Sequence, residues 1–211
     1  MLLSRKWLNE FVDVSLEEYN DREFAEAMTV SGSKVEVTED LSEKIRNTVV
    51  GRVISMEKHS DSDHMFVCMV DVGNGSPVQI VTGAQNVHTG DLVPAALDGA
   101  LLPDGTEIRS SVLRGVQSDG MLCSLKELGL TLHDYPYAIE NGIWIIEEDC
   151  SPGDDIAKLI GMDDHVVEFE ITPNRPDCLC VIGLAREAAV TFGKELRLHT
   201  PVVEAKAGGD I

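Results

Sequence analysis

The segment His59-Ser60-Asp61-Ser62-Asp63-His64 holds two imidazoles with two carboxylates between them. Imidazoles and carboxylates are ligands that zinc and related cations use in proteins. The segment lies between two runs typical of strands, however, and a loop with this spacing does not fix four ligands in a tetrahedron. The sequence therefore predicts no metal site here.

Two further groups of residues could do nucleophilic chemistry. Cys178 and Cys180 are separated by one residue at the start of a predicted helix, where a thiolate could be stabilised, but burial as small apolar side chains is the commoner role. Ser124 and His133 are scattered candidates that spacing alone cannot pair with a carboxylate. The sequence also lacks the glycine-rich phosphate loops of nucleotide-binding proteins. We predict no catalytic residue in this chain.

Charge limits the possible partners. The 211 residues carry a formal net charge of −20, which argues against generic affinity for nucleic acids because that affinity depends on Lys and Arg. Residues 132–211 hold 6 basic and 16 acidic residues, so half of the excess lies there. Any contact with RNA must therefore be local. The five cysteines fit neither a disulfide framework nor a paired zinc site, and no apolar run is long enough for a membrane span. These features predict a cytoplasmic protein with reduced thiols.

The elements that would position these groups begin with residues 1–47, which predict helix, helix and strand. Ser4 can cap the first helix, and a second helix is expected near residues 21–30. Residues 34–39 then alternate with period two, as a half-buried strand does.

Residues 48–150 change to short β-rich runs between turn signals. Asn74-Gly75 predicts a hairpin, and a helical stretch is expected at Leu125–Leu128. Strands at this spacing indicate a small barrel or sandwich. The predicted strands are Val49–Ile54, Phe66–Val72, Val78–Val81, Leu92–Leu97, Glu107–Leu113 and Ile143–Ile146.

Residues 151–200 return to mixed structure, with a short helix after Asp154 and an alternating strand at Val166–Ile171. A last helix is expected, because Leu179, Ile182, Ala185, Ala189 and Phe192 follow at helical spacing. Neither flank alone has enough apolar surface for a stable domain. We therefore predict a discontinuous α+β domain formed by residues 1–47 and 151–200, with the β-barrel of residues 48–150 inserted into it. Residues 201–211 would be a linker to downstream domains.

The middle segment also carries a series of separated motifs. Their order closely resembles the tRNA-binding domain found in bacterial phenylalanyl- and methionyl-tRNA synthetases and in free tRNA-binding proteins. The resemblance implies a five-stranded OB-fold barrel whose open groove receives structured RNA. The motifs are Val50–Val53, Glu57–Asp63, Cys68–Gly73, Ile80–Val87, Leu113–Ser124 and Glu127–Leu130.

Matched by position, the resemblance implies that Lys58, Arg114 and Lys126 contact phosphates. It also implies that Asn86 and Ser118 hydrogen-bond sugar or base edges.

This sequence departs from the family at two places. Many relatives have a lysine-rich run before the Leu-Arg-Gly motif, and a proline and an arginine in the Lys-His loop. Here these places are Thr106–Val112 and Ser60–His64, which hold few cations. Weak RNA binding is expected, and a barrel kept for its architecture alone remains the alternative.

The flanks resemble one branch of the family. Three segments resemble parts of the β subunit of bacterial phenylalanyl-tRNA synthetases. They are the opening Trp7–Val12 and, near the other end, Glu168–Leu179 followed by Gly183–Glu187. The resemblance thus runs from about residue 1 to residue 200, and it implies a non-catalytic, tRNA-binding and scaffolding N-terminal part of that subunit. Within the later motif, we expect Arg175 to have a structural role.

For the whole enzyme, the resemblance implies attachment of phenylalanine to tRNA-Phe with ATP and magnesium. It implies an α2β2 heterotetramer whose α subunit carries the activation site, with no cofactor or metal in this chain. Two alternatives remain: a free-standing tRNA-binding or chaperone protein of the same OB family, and a subunit-docking module without RNA contact.

Overall fold

The computed structural model describes residues 1–202, so the predicted linker lies outside the described residues from position 203 onward. No helix in the described range has both the length and the apolar character that crossing a bilayer requires. In chain order, this range forms β1 (Leu2–Ser4), α1 (Arg5–Phe11), α2 (Asp21–Val30), β2 (Val35–Asp40), β3 (Arg46–Lys58), β4 (Phe66–Asp71), β5 (Val78–Thr82), β6 (Leu92–Leu101), β7 (Ser111–Leu113), β8 (Val116–Ser118), β9 (Gly120–Leu122), α3 (Ile156–Leu159), β10 (His165–Phe169) and α4 (Val181–Phe192).

The chain forms two compact units. One consists of Met1–Asp40 together with the chain from Asp164 onward, and the other is Leu41–Asp163. The later boundary follows α3 (Ile156–Leu159), because this helix packs with the barrel. The Val50 amide donates to the Asp154 carbonyl at 2.8 Å, and Ile156 is buried in the same cluster as Val50.

The first unit is an α+β structure around a three-stranded antiparallel sheet in the order β1-β10-β2. β2 and β10 are the strands predicted at residues 34–39 and Val166–Ile171, whereas β1 was not predicted. Leu3 of β1 lies opposite Val167 of β10, and both are buried. Residues from α1, α2 and α4 complete the core, each fully buried side chain contributing about 1.5–3 kcal/mol.

The helix ends of this unit follow local signals. The Ser4 hydroxyl accepts the Trp7 amide at 2.9 Å, which confirms the predicted N-cap of α1. The predicted face of α4 is confirmed in its C-terminal part, where Ala185 and Ala189 are buried, whereas Leu179 and Ile182 are 62% and 38% exposed. The helix begins only at Val181, after a 3₁₀ turn, so Leu179 lies before its first residue.

The second unit is a five-stranded, nearly closed antiparallel barrel in the order β5-β4-β3-β6-β9, consistent with the predicted OB fold. β3 is the central strand: its C-terminal part pairs with β4 and its N-terminal part pairs with β6. A register shift between Val53 and Ser55 bends it, as a β-bulge does. The ends of the sheet meet where the Asp119 amide donates to the Gln79 carbonyl at 2.8 Å.

Two positions of the barrel must be glycine, because there is no room for a Cβ atom. A Cβ on Gly51 would lie 2.5 Å from Val70 Cγ1, and one on Gly120 would lie 2.5 Å from the Ala96 carbonyl oxygen. Neighbouring strands approach closely at these positions, as tight barrels require.

Some predicted elements of this unit were wrong. Only Ser111–Leu113 of the predicted strand Glu107–Leu113 is a strand, and it pairs with β8 in a separate hairpin. Leu125–Leu128 forms turns rather than a helix. Ile143–Ile146 lies against the barrel without forming a strand, and single bonds such as the Ile146 amide to the Leu92 carbonyl (2.8 Å) hold it. The fifth strand is β9, in a short run that carries a glycine.

Candidate nucleic-acid interface

Lys58 stands at the end of β3, where the chain leaves the barrel. It is exposed, and its Cα pairs with that of Phe66 at the start of β4. The His59 amide donates to the Met65 carbonyl at 3.0 Å and closes the loop that follows. The closed loop holds the Lys58 backbone against the rigid barrel while its ammonium group extends into solvent.

His59 ties this loop to a distant turn. His59 is only 4% exposed, and its Nδ1 accepts a hydrogen bond from the Asp61 amide at 3.0 Å. Because Nδ1 accepts, the proton is on Nε2, which donates to the Leu113 carbonyl at 3.0 Å. The imidazole is therefore an internal clamp between residues 59–61 and the β7–β8 hairpin.

Arg114 occupies the turn of that hairpin. Its φ is 47° and that of Gly115 is 85°, the left-handed backbone that two-residue hairpin turns adopt. Such a conformation in a residue other than glycine costs on the order of 1–3 kcal/mol and is often found at functional sites. The Arg114 Nη1 donates to the Asp61 carbonyl at 3.0 Å. Since Lys58 adjoins His59 and Arg114 adjoins Leu113, the clamp brings both cations to one end of the barrel.

The charges of this end, which we call the Lys58–Arg114 corner, remain available. Among the described residues, no carboxylate pairs with Lys58 or Arg114; the guanidinium donates to a carbonyl, which leaves its charge uncompensated. Asp61 and Asp63 in the same loop limit the positive field. The corner can therefore hold one or two phosphates at short range but cannot act as a broad basic surface.

Ser118 and Asn86 have internal partners. Ser118 is 2% exposed; its hydroxyl accepts the Val81 amide at 3.0 Å and donates to the Gly120 carbonyl at 2.9 Å. The Asn86 side chain donates to the Ile143 carbonyl at 2.8 Å and accepts the Ile143 amide at 3.1 Å. Both side chains hold the barrel together, so hydrogen bonds to RNA would require breaking these contacts.

Lys126 lies elsewhere on the same unit. It is exposed on the turns that follow β9, between the buried anchors Leu125 and Leu128. Among the described residues, no hydrogen bond or ion pair joins it to the Lys58–Arg114 corner. It lines a separate cavity together with residues 130–133 and 139–141. The five residues implied by the resemblance thus divide into one corner, one separate cation and two internal side chains.

The clamp role of His59 was missed by the sequence reasoning, which treated this residue only as a possible metal ligand. The identity of its partner is non-local, because Leu113 is 54 residues away. The one available signal was that the two motifs containing His59 and Leu113 both belong to the family resemblance.

Arg175 in the first unit has the structural role that was expected. Its Nη2 lies 2.9 Å from Asp177 Oδ2 and 2.7 Å from Glu187 Oε1, and its donation lowers the pKa of Asp177. Asp177, Cys178 and Glu187 are spaced as metal ligands could be, but the guanidinium lies among them, with Nη2 3.1 Å from the Cys178 sulfur. The Arg175 guanidinium therefore already compensates the negative charges of Asp177 and Glu187.

The chain is similar to several known proteins. The family model described as "Putative tRNA binding domain" matches residues 48–154. The phenylalanine–tRNA ligase β subunit of Clostridium acetobutylicum is 43% identical over 192 residues, which is 91% of this chain and 23% of the relative. That of Moorella thermoacetica is 43% identical over 198 residues, 94% of this chain and 24% of the relative. Among solved structures, the MetRS related protein from Pyrococcus horikoshii covers 56% of this chain and 96% of its own, with a TM-score of 0.37 and 22% identity.

The chain spans about a quarter of the length of these curated relatives. The family model covers just over half of the chain and coincides with the barrel unit. The chain belongs to this tRNA-binding domain family.

Proposed function

We propose that this chain is the tRNA-binding and scaffolding part of a phenylalanine–tRNA ligase β subunit and carries no catalytic group of its own. The extent of the similarity supports this proposal. The likeness to β subunits extends over 91% of the chain, whereas the tRNA-binding family model is confined to residues 48–154. A free-standing tRNA-binding protein of the same family would not need the first unit, so the β subunit is the better assignment.

In this proposal the whole enzyme joins phenylalanine to tRNA-Phe in the cytoplasm with ATP and magnesium. An α subunit carries the activation site, and two copies of each subunit assemble. The described residues of this chain supply binding surface only.

We propose that Lys58 and Arg114 neutralise phosphates of the tRNA backbone and that Lys126 contacts the same RNA at a second point. The His59 clamp is the observation that carries this assignment, because it fixes two unpaired cations from distant segments at one end of the barrel. Ser118 and Asn86 act by holding the barrel in shape. The acidic balance of the unit makes the binding local and moderate in strength.

Direct binding of tRNA-Phe transcript to the full chain, measured by fluorescence anisotropy at about 100 mM salt, tests the proposal. Each lost phosphate contact removes about 0.7–0.9 of a counterion, so Lys58→Ala with Arg114→Ala weakens affinity by about 25- to 60-fold. The matched control is Lys158→Ala with Arg186→Ala, which removes the same charge from exposed residues outside the corner. This control is expected to change affinity by less than about threefold.

The two alternatives give different results. A subunit-docking module without RNA contact would bind no tRNA in this titration, which would overturn the proposed function. Equal losses in the test and control variants would mean that the total charge decides binding, and the assignment to the corner would be wrong.

A further inference from the structure

A cavity of about 470 Å³ lies on the surface of the barrel unit beside Lys126, apart from the Lys58–Arg114 corner. Its walls include Leu130, Leu132 and Ile139, of which the last two are 39% and 49% exposed. Exposed aliphatic side chains that converge on one cavity are typical of binding sites rather than of an ordinary surface.

Three polar side chains stand around these walls, and one of them, His133, interacts electrostatically with the adjacent Asp134. The Lys126 ammonium, the His133 imidazole and the Asn141 amide all line the cavity, and none of them has a side-chain hydrogen bond or ion pair among the described residues. Each is exposed. A cation, a flat aromatic ring and an amide thus remain available for an occupant.

The backbone around the cavity is already ordered. The Leu130 amide donates to the Leu125 carbonyl at 2.8 Å, and Thr131 donates to Asp134 through its amide (2.9 Å) and its hydroxyl (2.8 Å). These hydrogen bonds lower the pKa of Asp134. The cavity is preformed, so an occupant would not need to order the turns first.

We propose that this cavity takes one unstacked nucleotide of the bound RNA, whose base lies against the His133 ring and the aliphatic walls. The proposal rests on the proposed function and adds a second RNA-binding site to it. Proteins recognise single-stranded RNA by stacking splayed bases on aromatic rings, His included, and by hydrogen bonds to their edges. Asn141 supplies such bonds, and Lys126 supplies the charge for the adjoining phosphate. A cavity of this size is within the usual range of about 300–1,000 Å³ for small-ligand sites.

Glu140 also lines the cavity, and it gives the site a chemical preference. A carboxylate accepts hydrogen bonds but donates none, so it favours bases with an exocyclic amino group. Adenine, cytosine and guanine are therefore expected to bind better than uracil, which has no amino group.

Affinity for tRNA-Phe transcript, measured with the full chain, tests this site. Loss of one stacked base weakens binding by about five- to tenfold at the lower end of the known range, which is expected for His133→Ala. The matched control is His88→Ala, another exposed imidazole of the same unit, which is expected to change affinity by less than twofold. His133→Phe keeps a flat ring and is expected to restore binding, whether or not the alanine variant is less stable.

The salt dependence separates this site from the corner. His133→Ala removes no phosphate contact and leaves the log–log salt slope unchanged, whereas the variant lacking Lys58 and Arg114 lowers that slope. NMR titration of the His133 ring protons with adenosine, cytidine and uridine monophosphates gives an independent result, with shifts expected in the order adenosine and cytidine above uridine.

Two outcomes would contradict the site. If His133→Ala binds tRNA as tightly as the unchanged chain while the corner variant loses affinity, the cavity proposal is overturned and the proposed function stands. If the unchanged chain binds no tRNA and no nucleotide shifts the His133 resonances, the proposed function and this site are both wrong.

Discussion

Replacing Ser118 by alanine removes one hydroxyl at the point where the barrel closes. The side chain accepts the buried Val81 amide and donates to the Gly120 carbonyl, so it joins β5 to the β8–β9 connection. The substitution keeps the volume close to that of serine and leaves both backbone partners in place. Its effect is therefore that of the lost hydrogen bonds.

The magnitude follows from the two partners. Leaving the buried Val81 amide unpaired costs about 1–3 kcal/mol, and losing the bond to the Gly120 carbonyl adds about 0.5–1.5 kcal/mol. The hydroxyl no longer has to be desolvated on folding, which offsets part of this cost. A loss of about 2 kcal/mol in the free energy of unfolding is expected, which lowers the urea midpoint by about 1 M for a slope near 2 kcal/mol per molar.

Urea unfolding followed by tryptophan fluorescence measures this change. Trp144 is 1% exposed in the barrel unit and Trp7 is 54% exposed in the other unit, so a Trp7→Phe background isolates the barrel signal. Ser110→Ala, at an exposed serine of the same unit, is the matched control and is expected to change stability by less than about 0.5 kcal/mol. If Ser118→Ala is no less stable than this control, or if it binds tRNA more weakly while keeping its stability, the internal role of the hydroxyl is refuted.

Three further predictions concern groups outside the RNA contacts. Arg5 is 2% exposed and donates hydrogen bonds to Asp21 and to two carbonyls. Arg5→Ala is therefore expected to lower the free energy of unfolding by about 3 kcal/mol or more. An unchanged unfolding midpoint would contradict this. His59→Ala releases the loop clamp and is expected to weaken tRNA binding up to about tenfold although His59 itself contacts no RNA; full affinity would show that the clamp does not position the corner. Burial raises the pKa of Cys123 from 9.0 to about 12, so iodoacetamide at pH 8 is expected to modify the exposed Cys180 and spare Cys123. The folded chain holds the Cys123 proton more tightly than the unfolded chain, and this difference contributes to the free energy of unfolding. The contribution is complete below about pH 9 and is lost as the pH rises toward 12. Alkaline unfolding curves without such a decline would contradict this prediction.

The parts of the fold that depend on neighbouring residues could be predicted from the sequence. The Ser4 cap follows from a side chain and an amide three residues apart, and the Asn74-Gly75 turn does join β4 to β5. In such cases the physical cause lies inside a short segment.

Elements whose status depends on distant partners could not be predicted reliably. Ile143–Ile146 has a strand-like composition but lacks a continuous ladder, whereas Gly120–Leu122 is a strand because β6 lies beside it. Composition alone does not distinguish these cases, since β propensity mainly reflects packing against neighbours.

The candidate site shows the same limit. The family resemblance selected Lys58 and Arg114, and the structure shows that both are exposed. Ser118 is buried, and its hydroxyl therefore bonds inside the barrel. Its burial results from the closing of the barrel and cannot be predicted from the residue being a serine. His59 was identified as a chemical group, but its partner carbonyl could be found only in the folded chain.

The salt dependence of tRNA binding tests the central claim most directly. With about three phosphate contacts, the plot of log affinity against log salt concentration is expected to have a slope of about −2 to −3. Removing Lys58 and Arg114 together is expected to reduce the slope to about −1, while the variant lacking Lys158 and Arg186 keeps the original slope. An identical slope for the unchanged chain and the corner variant would show that these two cations do not contact RNA phosphates.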